Sequence, residues 1–366
     1  MKRKSWVLIA VAATAMLVFS VGASPASAAS RPKFNVFAAA SLYKAFPAMV
    51  RPFKAKYPQF KNYQFVFNFQ GTDTLVAQIQ LGAPADLFAG ASIKYGTQLY
   101  TGGYLTGLPR LFAQNVLCVI TPRGDTMVKS LNDLTKSGVL IAIGNSSVPI
   151  GTYTQTVLTN MTNSGDFGPN YGTDVMANVA ATVANVNMVT ALVKLDEVDA
   201  GFVYKSDWLA ANLGSPPRAP AVRKLTILSK YQSNPLPTYP IAIVKTSKRI
   251  TMARDFIHFV MSAQGQKILV AYGFRRMPIP VIAAAGLNPT SGTAGSSVTI
   301  TGTNFYTTGT VKFTPTTGTA TAATTTAWGQ TSITATVPAT LTPGTYKVTV
   351  TADGRTSNAE TFTVTS

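Results

Sequence analysis

Val36-Phe37-Ala38-Ala39-Ala40-Ser41-Leu42 reads as the end of a β-strand running into a turn of small residues, with a serine where a helix would start. The apolar run over 34–39 has the length of a buried strand and not of a helix. A strand that feeds directly into a helix is the repeating unit of α/β folds, and ligands in such folds bind beyond the C-terminal strand ends. Ser41 is therefore a candidate N-cap and equally a candidate hydrogen-bond donor to a ligand. Pro47 and Pro52 lie just beyond it, so the following helix is expected to be kinked or broken.

Three further turns have the same form. Gln70-Gly71-Thr72-Asp73-Thr74 follows a strand over 64–69 and offers the Thr72 hydroxyl. A carboxylate there repels an anion, so Asp73 is expected to cap the helix by accepting backbone N–H groups. Ser147-Val148-Pro149-Ile150-Gly151 sets Pro149 near a helix start. Asn185-Val186-Asn187 opens an amphipathic segment with Asn185 as cap, and Gly201-Phe202-Val203-Tyr204 ends a strand with a phenol at its tip. Each helix start leaves N–H groups without partners at the positive end of the dipole. Several of them meeting in a cleft can hold an anion with no Lys or Arg. Every α/β protein contains capped helices, so no single turn identifies a site.

The turns sit in a regular alternation. Further strands are expected over 85–89, 116–120, 139–143, 200–204 and 241–244, and helices over 75–81, 151–161, 188–194 and 250–260. This rhythm predicts α/β units with mainly parallel sheets up to about residue 278. Beyond about Ile282 the chain becomes rich in Thr, Gly, Ala and Val and nearly loses charge. Alternating runs over 297–301, 310–313, 332–337, 345–351 and 361–364 predict a small all-β sandwich, with Phe305, Phe313, Trp328 and Tyr346 as core candidates.

Composition narrows the function. Lys2, Arg3 and Lys4, an apolar run over 6–18 and Ala26-Ser27-Ala28 predict a cleaved secretory leader over 1–28. The run is shorter than the roughly 20 residues of a membrane span, and no cysteine follows for a lipid anchor. An exported protein, in the periplasm or on the outer face of the envelope, is expected. Cys118, the one cysteine, lies in an apolar run and reads as a packed thiol. The net charge of +18 favours capture of anions. No dense basic run or basic-aromatic module points to nucleic acid. His258, the one histidine, sits in a helix-like segment far in sequence from every candidate loop, which argues against hydrolysis or a metal-cation site.

Residues 33–278 resemble the molybdate-binding proteins of ABC transporters, within the class II periplasmic binding-protein fold. The resemblance is carried by residues 36–42, by Gly82-Ala83-Pro84-Ala85-Asp86-Leu87-Phe88 and by Val148-Pro149-Ile150-Gly151-Thr152-Tyr153. Asp199-Ala200-Gly201-Phe202-Val203-Tyr204, Tyr239-Pro240-Ile241-Ala242 and Tyr272-Gly273-Phe274 continue it in the same order. The C-terminal segment resembles an IPT/TIG immunoglobulin-like domain through Asn288-Pro289-Thr290-Ser291-Gly292, Val298 to Phe305 and Gly344 to Val350.

The first resemblance implies an anion held by hydroxyls and backbone amides at Ser41, Thr72, Ile150, Val186 and Tyr204, with Asp86 as structural support. It implies a two-lobed solute-binding domain over 31–280, one lobe about 31–110 and 238–280 and the other about 111–237, followed by the sandwich over 284–366. The chains are expected to cross between lobes near Arg110 and around Pro237. Molybdate or tungstate would bridge and close the lobes, and an ABC permease would receive the closed form. The protein is expected to be a monomer and a non-enzyme, with no cofactor and no cation site. If Asp73 faces the ligand it can accept a proton, which would favour phosphate or arsenate. A surface adhesin acting through the sandwich is the remaining alternative.

Overall fold

The computed structural model describes residues 31–214, 220–306, 308–352 and 354–366; the leader expected over 1–28 lies outside them. The chain begins with β1 (Lys33–Ala39), α1 (Ala45–Lys56), β2 (Gln64–Gln70), α2 (Thr72–Gln80), β3 (Leu87–Ala89), α3 (Ile93–Thr101) and β4 (Arg110–Gln114). Next come β5 (Leu117–Pro122), β6 (Ile141–Gly144), α4 (Pro149–Asn163), α5 (Tyr171–Ala177), β7 (Val179–Val183), α6 (Val186–Lys194), β8 (Ala200–Tyr204), α7 (Lys205–Ala211) and β9 (Val222–Thr226). The α/β part ends with β10 (Thr238–Ile243), α8 (Ile250–Met261) and α9 (Ala263–Ala271).

Two mixed sheets result. The first has the order β2-β1-β3-β10-β4, with β1 parallel to β2 and β3 and with β10 antiparallel to β3 and β4. The second has the order β7-β6-β8-β5-β9, with β6 parallel to β7 and β8 and with β5 antiparallel to β8 and β9. The chain thus leaves the first sheet after Gln114 and returns before Thr238. The outward crossing falls a few residues beyond the expected Arg110, because β4 is paired with β10. Both crossings run side by side, with the Asn115 N–H donating to the Pro237 carbonyl at 2.9 Å.

Alternate residues of β1 enter different cores, as the two-residue period of a strand requires. Phe34, Val36 and Ala38 face α1, α8 and α9, where Phe256 meets Phe46 at 5.7 Å and Phe53 at 5.3 Å, both edge to face. Phe37 faces the other way, toward Leu75, Ile79 and Leu99 of α2 and α3. Each such aromatic or aliphatic side chain contributes about 1.5–3 kcal/mol by leaving water. The second lobe packs Val119, Ile143, Val157, Val189 and Phe202 into a core of its own. Cys118 is buried there, and burial pushes its thiol well above the usual range. The break expected at Pro47 and Pro52 does not occur: α1 runs without interruption from Ala45 to Lys56, with Pro47 in its first turn and Pro52 inside it, after a separate 3-10 turn, Ala40–Leu42.

The remaining strands are β11 (Val281–Asn288), β12 (Ser291–Thr293), β13 (Ser297–Thr303), β14 (Gly309–Pro315), β15 (Thr321–Trp328), β16 (Ser332–Thr336), β17 (Gly344–Ala352), β18 (Arg355–Thr356) and β19 (Glu360–Thr365). They form an all-β unit around Phe305, Phe313, Tyr346, Val348 and Phe362, with Trp328 partly buried at its edge. It docks on the first lobe through Leu111, Met277, Tyr306 and Ala352, and Arg355 Nη2 donates to the Leu111 carbonyl at 3.2 Å.

Candidate functional site

The strand ends of both sheets point at one cavity between the lobes. Ser41, Thr72, Ile150, Val186 and Tyr204 all line it, so the five residues singled out in the sequence come together. The space open to the centre of a water-sized sphere is ≈ 20 Å³. Adding back a water radius of about 1.4 Å gives an equivalent sphere of about 3 Å radius. That is room for one compact tetrahedral ion.

Helical starts surround this space. Gly71 is the N-cap of α2, Val148 of α4 and Asn185 of α6, and all three line the cavity with the residues that follow them. Because Pro149 carries no N–H, the first donor of α4 is Ile150. The Asn185 side chain accepts from the Met188 N–H at 3.2 Å, as a cap should, which leaves Val186 and Asn187 with no intrahelical partner. Among the described residues, no charged side chain lines the cavity. Positive potential there comes from aligned peptides.

Three hydroxyls complete the lining. Thr72 Oγ1 accepts the Ala91 N–H at 3.1 Å. Ser41 Oγ is 2.9 Å from the Tyr239 hydroxyl. Ser41 therefore caps nothing; it lies inside the 3-10 turn, whose N-cap is Ala39. The Tyr204 hydroxyl is buried and has no partner among the described residues. A polar atom in that state marks a place where a ligand or water completes the bonding. Burial pushes the Tyr204 and Tyr239 phenols well above their usual range, so both keep their protons. Asp207, three residues beyond Tyr204, is wholly buried and pushed up to about 8 by that burial. Its Oδ2 accepts the Tyr204 N–H at 3.0 Å and holds the start of α7 in place.

The large residue at 150 is accommodated locally. A Cβ added to Gly144 would lie 2.5 Å from Ile150 Cγ2, so the glycine makes the room that the isoleucine side chain fills. Gly71 serves the gap between lobes, where an added Cβ would lie 2.6 Å from the Ala184 carbonyl of the second lobe.

Asp73 departs from the expected capping role. The Ser147 hydroxyl, across the cleft, is 2.8 Å from its Oδ2 and is shared with Asn145 Oδ1 at 2.6 Å. The other carboxylate oxygen is buried without a partner among the described residues, and Asp73 is not one of the residues lining the cavity. Tyr95 also donates across the cleft, to the Ser147 carbonyl, and Asn187 Nδ2 donates to the Ala40 carbonyl at 3.2 Å. Asp86 accepts the Asn35 N–H at 2.8 Å and the Ser247 hydroxyl at 2.7 Å, a structural tie away from the cavity. His258 is exposed on α8, remote from the cavity. The described residues contain no cluster of His, Cys, Asp or Glu fit for a metal cation. Sequence reasoning did not assign a role to Tyr239, Asn115 or Asn187, although Tyr239 and Asn187 stood in quoted motifs.

Two α/β lobes joined by paired crossings, with helix starts converging on a small cavity between them, define a periplasmic-binding-protein-type solute receptor. The chain belongs to the bacterial extracellular solute-binding protein family, whose model matches residues 34–275, and it carries an IPT/TIG domain over 283–364. The molybdate-binding protein ModA of Mycobacterium tuberculosis is 29% identical over 275 residues, covering 74% of this chain and 96% of that one. ModA of Haemophilus influenzae is 29% identical over 270 residues, covering 71% and 96%. Among solved structures, the periplasmic molybdate-binding protein of Azotobacter vinelandii superposes with a TM-score of 0.55 at 18% identity, over 66% of this chain and 98% of that one. The sulfate-binding protein SubI of Mycobacterium tuberculosis superposes with a TM-score of 0.57 at 17% identity, over 67% and 87%. At those identities the likeness speaks for fold alone.

Proposed function

We propose that the first domain captures one fully deprotonated tetrahedral oxyanion, molybdate or tungstate, outside the cytoplasm and delivers it to an ABC permease. In this reading residues 31–280 are the capture unit, acting as a monomer. Ser41, Thr72 and Tyr204 donate hydroxyl hydrogens, and Ile150 and Val186 donate backbone N–H groups. The observation that carries it is a cavity of single-ion size, lined by helix starts and three hydroxyls and by no charged side chain. Hydrogen bonds to a charged group contribute about 1.5–3 kcal/mol each. Five of them from two lobes give the closed state an advantage that the open state lacks. The likeness to the molybdate-binding ModA proteins of Mycobacterium tuberculosis and Haemophilus influenzae supports the same ion.

A second reading rests on the buried, partnerless oxygen of Asp73. If that oxygen reaches the ion it accepts a proton, and phosphate or arsenate becomes the ligand. Calorimetry of the leader-free chain with molybdate, tungstate, sulfate and phosphate separates the two. Tight molybdate and tungstate binding with weaker sulfate is expected. Tightest binding of phosphate, abolished in Asp73→Asn, would overturn the first reading in favour of the second. No binding of any anion, with attachment to surfaces through the sandwich, would leave the adhesin.

A further inference from the structure

We infer that Asn115 and Tyr239, at the two lobe crossings, fix the direction in which Ser41 points its hydrogen and thereby make the cavity favour unprotonated over protonated oxyanions. The inference rests on the anion-capture reading above and concerns positioning residues. Ser41 Oγ and Tyr239 Oη lie 2.9 Å apart, both buried, and that pair alone leaves the donor open. The next bonds close the choice. Asn115 Nδ2 lies 3.3 Å from Tyr239 Oη and 2.9 Å from Ser206 Oγ, and an amide nitrogen can only donate. The amide cannot be turned over, because Asn115 Oδ1 accepts the Val116 N–H at 3.0 Å and a flip would set two donors face to face.

Tyr239 therefore receives a hydrogen from Asn115 and gives its own to Ser41. The buried phenol does not ionise near neutral pH, so that hydrogen stays available. With its oxygen engaged from behind, Ser41 has the cavity to point its hydrogen into. Thr72 is loaded in the same way by the Ala91 N–H. A freely turning hydroxyl accepts as readily as it donates, and a loaded one favours donation. A protonated anion then brings a hydrogen that finds no acceptor, which is disfavoured in a buried site. The relay starts at Asn115, which also donates to Ser206 on α7, and passes through Tyr239 to Ser41, so it is complete only where the hinge segments and both lobes meet.

Sulfate and phosphate are close in size, but phosphate carries at least one proton at pH 7. The ratio of their affinities, measured by calorimetry on the leader-free chain with molybdate as reference, reads the relay. In Tyr239→Phe the serine regains a free hydroxyl and the sulfate-to-phosphate ratio falls by roughly fivefold or more. Phenylalanine keeps the ring contacts to Phe112 at 6.0 Å and Phe274 at 5.3 Å, so the fold is retained. Asn115→Asp puts an acceptor where a donor stood and reverses the chain. Molybdate affinity then falls about tenfold, and adding Ser41→Ala to that variant changes it less than about twofold, whereas Ser41→Ala in the native chain loses about tenfold or more. A ratio unchanged in Tyr239→Phe, or a full Ser41→Ala loss in the Asn115→Asp background, overturns the inference and leaves anion capture standing. A native chain that binds none of these anions sinks both.

Discussion

Replacing Gly71 with alanine isolates lobe closure from ligand chemistry. Gly71 has φ −55° and ψ 142°, a conformation alanine adopts without strain, so the change acts through space alone. The new Cβ would lie 2.6 Å from the Ala184 carbonyl, 2.6 Å from Asp73 Oδ1 and 3.0 Å from Val148 Cγ1. The Asp73 side chain can swing away. The Ala184 carbonyl is backbone and cannot, and ordinary contact begins at 3.4 Å, so the second lobe must retreat by about 0.8 Å at this point. Ala184 is two residues before Val186, whose N–H would move with it. A hydrogen bond of about 2.9 Å stretched by that amount is no longer one. Loss of one charge-assisted bond is about 1.5–3 kcal/mol, so molybdate affinity should fall roughly 10- to 150-fold. The melting temperature of the ligand-free protein should stay near the native value. Calorimetry gives the affinity, and small-angle scattering with saturating molybdate should show a less compact particle than the native complex. Native affinity in Gly71→Ala would refute the reasoning, because closure would then not bring Ala184 against Gly71.

Two other perturbations have definite expectations. Tyr204→Phe removes a buried hydroxyl that has no protein partner, so molybdate affinity should fall by about 1.5–3 kcal/mol while the ligand-free melting temperature holds or rises; a drop in melting temperature without a loss of affinity would contradict this. Asp207 titrates at about 8 when folded, against about 3.9 in an unfolded chain, so the native state holds a proton that the unfolded chain releases between those values. Stability from this group is therefore present at low pH, declines as pH rises through that window and levels off above it. Asp207→Asn should flatten the decline and stabilise the protein at pH 8, as checked by urea unfolding at pH 5 and pH 8; equal slopes in both proteins would refute the assignment.

Local signals made most of the frame legible. The strand-turn-helix pattern at 34–42, the threonine after Gly71, the proline opening α4 and the asparagine capping α6 each act within a few residues. Their convergence on one cavity was inferred through the family resemblance, since spacing along a chain carries no such information. What escaped was non-local. Tyr239 reaches Ser41 from 198 positions away and Asn115 from 124, and Ser147 meets Asp73 across 74. Asp73 was expected to cap because its position favours it; a partner on the other lobe won instead. α3 was missed because Gly96 sits in its middle, where a Cβ would be 2.9 Å from Pro240 Cβ, so tertiary packing and not helix propensity chose the residue. β15 was missed because its run of Thr and Ala has little apolar contrast.

In the proposed function, neutral donors gathered from both lobes hold a doubly charged ion in one small cavity. A crystal structure of the leader-free protein grown with molybdate, phased at the molybdenum absorption edge, tests it most directly. One strong anomalous peak is expected in the cavity, with the oxygens around it bonded to the Ser41, Thr72 and Tyr204 hydroxyls and the Ile150 and Val186 amides. A peak among surface cations such as Lys248 and Arg249, with the cavity holding only water, would contradict it.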